Sequence, residues 1–200
     1  MGFSDLKALF FLTLKAPKEA ARHLMALDFP AQALWMALSL VSIVTSMIFA
    51  GLLQMAPMPA DEMGALIRGT PAYDAPLIFA LLQLARAVVS VFVLYWVGTL
   101  FGGQGRLVDV LAVIAWLQAV TFALMLGIVV LGVVVPLVSS LLILAMAVWW
   151  IWAVVSALDV AHGFDSMVKS AAVLIVSVVG ATIGLSIFVG VVASIFVGSV

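Results

Sequence analysis

The chain is expected to fold as an all-α integral membrane protein, with five transmembrane helices behind an amphipathic N-terminal segment. Three observations carry that expectation. Of the 200 residues, 67% are hydrophobic and 8% charged, with a mean hydropathy of +1.40, more apolar surface than a water-soluble core can hide. No formal charge falls between Asp109 and Asp159, which leaves room for two spans of about 20 residues at about 1.5 Å rise each. Finally, Phe101-Gly102-Gly103-Gln104-Gly105-Arg106 is a short polar hinge between two such runs. Its glycines reach φ > 0 easily and Gln104 and Arg106 want water, so the chain should reverse there at a membrane surface.

Composition also excludes function classes. A net charge of −1 without a basic block argues against nucleic acid as a partner. With no Cys, disulfides, thiolate catalysis and Cys-ligated metal are out. No Asn occurs, hence no N-x-[ST] acceptor.

Residues 1–30 are expected to form cytoplasmic amphipathic helices, and residues 31–198 the five-helix membrane domain. Lys7, Lys15, Lys18 and Arg22 make up half of the Lys and Arg, a cluster that belongs on the cytoplasmic side against anionic lipid. Ser4 can cap a first helix with Leu6, Leu9, Phe10 and Leu14 at helical spacing, and Pro17 opens a second. Both read as helices lying on the membrane surface, the alternative being a cytoplasmic cap packed on the bundle. The run from Ala8 to Leu14 is too short to span, and Lys15-Ala16-Pro17-Lys18 is a poor cleavage site, so a signal peptide is rejected. Leu6 stands where a myristoylation signal needs Ser or Thr.

The spans are expected at about 32–54, 76–100, 110–133, 137–158 and 170–196. Trp35, Tyr95, Trp96, Trp149, Trp150 and Trp152 fall near span ends, where interfacial aromatics sit. The connection Ala56–Ala75 is acidic and Pro-rich with one basic residue, Arg68, as suits a far-side loop. Within it Asp61–Gly69 reads as a short helix, acidic at its start and with Arg68 near its end. Gly180 and Gly184, four apart in the last span, suggest a close helix contact, either within the bundle or in a homo-oligomer.

Arg86 is the single charge expected deep in a span. Ten residues after Pro76 it stands about 15 Å along the helix, where Arg costs roughly 2.5 to 3.5 kcal/mol on insertion scales. It should therefore face protein or water. Gln83 and Ser90 share its stripe, and Gln118 is a candidate partner from the third span.

The positive-inside rule sets the orientation. With the N-terminus cytoplasmic, that side holds Lys7, Lys15, Lys18, Arg22, Arg106 and Lys169, and the other only Arg68, which places the C-terminus on the non-cytoplasmic face.

Residues suited to chemistry are scarce. His23 and His162 lack a second His or a Glu at zincin spacing and read as surface or interfacial residues. The glycine hinge lacks the Lys-Ser/Thr of a phosphate-binding loop. Asp159, His162 and Asp165 read as polar residues of an exposed loop spanning Asp159–Lys169. No metal or other cofactor is expected.

Lys15-Ala16-Pro17-Lys18 in an amphipathic segment, the Phe101–Gly105 turn after the second span, and Ala161-His162-Gly163-Phe164 between the fourth and fifth resemble the Yip1-domain membrane proteins along nearly the whole chain. The resemblance implies five spans, a cytoplasmic N-terminus and, from eukaryotic members, vesicle trafficking through small GTPases. The Ala/Val-rich, Asn-free composition suggests a bacterial-type member in an inner membrane. The favoured function is a non-enzymatic scaffold that binds membrane lipids or other membrane proteins. The alternative is a small transporter or channel built on Arg86, Gln83 and Gln118. An intramembrane enzyme comes third, with no nucleophile–base pair to support it.

Overall fold

Prolines open four of the helices, since Pro supplies the helical φ and lacks an N–H that would be unpaired at the first position anyway. The computed structural model describes residues 2–197, apart from the side chains at 133, 136, 185 and 188–197. The expected domain end at residue 198 lies outside the described residues. Those residues form nine helices: α1 Phe3–Lys15, α2 Pro17–Ala26, α3 Ala31–Met55, α4 Glu62–Arg68, α5 Pro71–Asp74, α6 Pro76–Leu100, α7 Leu107–Val134, α8 Pro136–His162 and α9 Met167–Val197. Among them α3, α6, α7, α8 and α9 are each long and apolar enough to cross a membrane. The protein is a five-span, all-α membrane protein.

Local chemistry sets most boundaries. Ser4 does not cap α1. Gly2 holds the N-cap position and donates its N–H to Asp5 Oδ2 at 2.8 Å, because a carboxylate at the third helical position reaches back to the cap. Asp61 caps α4 by accepting the Gly64 N–H at 3.1 Å. Asp109 performs the reaching-back role for α7, accepting the Arg106 N–H at 3.1 Å, and so the helix begins at Leu107.

The fourth span departs from expectation at its end. α8 runs past Leu158 to His162 and stops at Gly163, whose φ of 66° is the left-handed stop that glycine adopts without strain. Asp159 and His162 are therefore helical residues, and the following loop is short.

The largest contiguous core lies at one end of the bundle. Its buried side chains are Leu34 and Leu38 of α3, Ala87, Val91 and Leu94 of α6, Val110 to Ala115 and Leu117 of α7, and Ala153, Val154, Ala157, Leu158 and Ala161 of α8, with Leu9, Ala20, Ala21 and Leu24 of α1 and α2 sealing them. At the other end burial is limited to small side chains such as Ala50, Ala72, Ala80 and Ser139, and Val130, Val134, Leu137, Leu141 and Leu144 are all exposed. We call these the closed end and the open end. α1, α2, the glycine hinge and the α8–α9 turn all belong to the closed end.

Candidate functional site: the closed end of the bundle

The closed end is built around the last turn of α8. A surface position is expected for His162, yet it is 1% exposed. The hinge explains how. A Cβ on Gly98 would overlap the imidazole, one on Gly103 would come within 2.7 Å of its Cδ2, and one on Gly105 would overlap the Ala161 carbonyl. The glycines thus do more than turn the chain, because they admit a helix end and a ring where side chains leave no space. Only Gly102, at φ 85°, has the backbone conformation that a turn requires of glycine. The Gln104 N–H donates to the His162 carbonyl at 3.0 Å, closing the hinge over the helix terminus.

The imidazole is held as a structural group. Its Nδ1 lies 3.2 Å from the Leu158 carbonyl, and its face stacks on Phe164 at 5.2 Å and 11°.

One turn earlier Asp159 is buried, with no exposed side-chain surface, and Lys18 Nζ of α2 lies 2.5 Å from its Oδ2. The Ser166 N–H at 2.8 Å and Ser170 Oγ at 3.2 Å donate to its Oδ1. A carboxylate at the end of an apolar run is tolerable only because a cation and two further donors surround it. Lys18, expected to face lipid with the other basic residues, is turned inward by this pairing, whereas Lys7, Lys15 and Arg22 are exposed. Sequence reasoning missed the pair. Its available signals were the small buried face Ala20, Ala21 of α2 and the alternation Ala157, Ala161 around Asp159.

Two tryptophans complete the attachment. Trp116 Nε1 donates to Thr13 Oγ1 at 2.9 Å, and Trp149 Nε1 to the Leu14 carbonyl at 3.3 Å. Beside them Arg106 grips Asp109 through Nε and Nη2 at 3.0 and 2.9 Å, and Nη2 reaches Asp28 at 3.3 Å. Hydrogen bonding to Asp109 and its charge, with Asp28 adding to both, raise the Arg106 pKa above its ordinary value. Met25, Gln104, Arg106, Asp109 and Val160 line an open cleft of about 300 Å³ against His162. Asp165 stays exposed in the turn at φ 50°, and among the described residues no group of three His, Cys, Asp or Glu is placed to hold a metal ion.

The intramembrane residues do not gather into one site. Gln118 accepts from Ser42 Oγ at 2.9 Å and Ser90 Oγ bonds the Ala87 carbonyl. Arg86 is exposed, its Nε donating to Gln83 Oε1 at 3.1 Å. The reason is the packing face of α6, which is Ala80, Ala87, Val91, Leu94 and Gly98 and leaves Arg86 on the flank. Among the described residues Gly180 and Gly184 make no close contact within the bundle, since a Cβ on either would meet nothing within 4 Å. They continue the face of Ser170, Val173 and Ser177, which is buried, but at a depth where the bundle has opened.

The family model of the Yip1 domain matches residues 11–198. No curated protein and no solved structure matches the chain.

Proposed function

The chain belongs to the Yip1 domain family, and from that premise we propose that it is a non-enzymatic scaffold that binds membrane lipids or other membrane proteins and serves membrane organisation or trafficking. The observation that carries the reading is the clasp. Lys18–Asp159, Trp116–Thr13 and Trp149–Leu14 fix the α1–α2 hairpin to the bundle, while Phe3, Leu6, Phe11, Lys7 and Lys15 remain exposed along α1. Aromatic, aliphatic and basic side chains held rigidly beside helix ends form a surface suited to a headgroup layer or to another membrane protein. Asp159, Asp109 and the His162 ring are engaged in holding the fold, so binding is the use the site's exposed groups support. In this reading the closed end is cytoplasmic, the C-terminus is not, and the setting is a bacterial inner membrane.

Extraction in mild detergent tests the proposal. A membrane protein should co-purify in stoichiometric amount. Substrate-dependent thermal stabilisation of the isolated chain, with no partner retained, would instead support a transporter.

A further inference from the structure

Arg86 is a cation without a counter-charge at its depth. It lies ten residues into α6, about 15 Å along the helix, and is exposed. Ile78, Leu82, Val89 and Trp96, all exposed large apolar side chains, run beside it. Its Nε is taken by Gln83, which leaves the two Nη groups as the free edge of the guanidinium fork. Among the described residues no carboxylate meets that edge: within the five apolar helices the carboxylates are Asp109 and Asp159, both at the closed end and held by Arg106 and Lys18. A second copy would bring the same lack. A lipid phosphate would have to leave the headgroup layer to reach mid-span. A planar two-donor edge in an apolar surrounding is matched by a carboxylate, which accepts two parallel N–H bonds.

We propose that this face of α6 docks a transmembrane helix of a partner protein carrying Asp or Glu at mid-depth, with the carboxylate on Arg86 and the flanking helix surface on Ile78, Leu82 and Val89. The inference rests on the scaffold reading and names the chemistry of the partner.

The test reconstitutes the full chain in phosphatidylcholine vesicles with a synthetic Leu/Ala transmembrane peptide bearing one central Glu, and with a control peptide bearing Leu there. Association is read by energy transfer between labels. The Glu peptide should associate about tenfold more tightly than the control. Arg86→Met, which alters an exposed position and leaves the packing face of α6 intact, should abolish that preference, and Arg86→Lys should retain part of it. Equal binding of the two peptides, or a preference that survives Arg86→Met, overturns the proposal. So does Arg86-dependent retention of phosphatidylglycerol through purification with neither peptide preferred, since lipid phosphate is then the occupant. Any of these results, with partners still co-purifying irrespective of Arg86, leaves the scaffold reading standing. Substrate-dependent stabilisation with no partner defeats that reading separately.

Discussion

His162 and Gly98 lie so close that the glycine hinge is a packing device as much as a turn. Adding one methyl at Gly98 or Gly105 forces backbone or ring to move, an overpacking cost of about 1–3 kcal/mol. Gly98→Ala and Gly105→Ala should therefore lower the melting temperature in detergent. Gly127→Ala, where a Cβ meets nothing within 4 Å in α7, should leave it unchanged or raise it, as Ala favours a helix by roughly 0.5–1 kcal/mol. The same sign at all three positions would remove the packing argument. Asp159→Ala strips the acceptor from Lys18, Ser166 and Ser170. Leaving buried donors unpaired costs about 1–3 kcal/mol, and the Lys18 pairing adds less than a fully buried pair because Lys18 is 36% exposed. Limited proteolysis between α2 and α3 should accelerate in Asp159→Ala; cleavage at the native rate would mean that the pair does not hold the hairpin. Neither role was legible in the sequence, for one physical reason. A charge ends an apolar run on any hydropathy reading, so Asp159 and His162 fell into a loop, whereas a cation on a helix 141 positions earlier in the chain allows the span to continue.

The N-terminal helices divide into an anchored and a free element. α2 buries Pro17, Ala20, Ala21 and Leu24, while α1 buries only Leu9 and Thr13. In nanodiscs, amide exchange should be slow in α2 whatever the lipid. In α1 it should slow further when phosphatidylglycerol replaces phosphatidylcholine, because Lys7 and Lys15 are each worth on the order of 1 kcal/mol against an anionic surface at low screening. Lipid-independent exchange in α1 would reduce the helix to a cap. The existence of both helices was legible from Pro17 and from the spacing of Leu6, Leu9, Phe10 and Leu14. The choice between a membrane-surface position and a cap packed on the bundle was not, since a face of Ala residues carries little periodic signal and gains its energy from close approach. α6 and α9 show the converse. Their lengths were legible, but Arg86 does not turn inward and Gly180 and Gly184 make no close contact within the bundle, because helical spacing reports which residues share a face and is silent on which neighbour covers it.

At the scale of the whole molecule, the five spans were legible because bilayer thickness demands runs of about 20 apolar residues whatever the packing. The uneven bundle was not, being sealed at one end by the hairpin and hinge and open at the other. In the proposed orientation all elements of the closed end share the cytoplasmic face, and α4 lies across the membrane from them. The chain contains no Cys, so single cysteines at Lys7, Gln104 and Glu62 can be probed in intact cells with a membrane-impermeant maleimide. Glu62→Cys should label directly, and Lys7→Cys and Gln104→Cys only after permeabilisation. Labelling of Glu62→Cys and Gln104→Cys from the same side would contradict the five-span account.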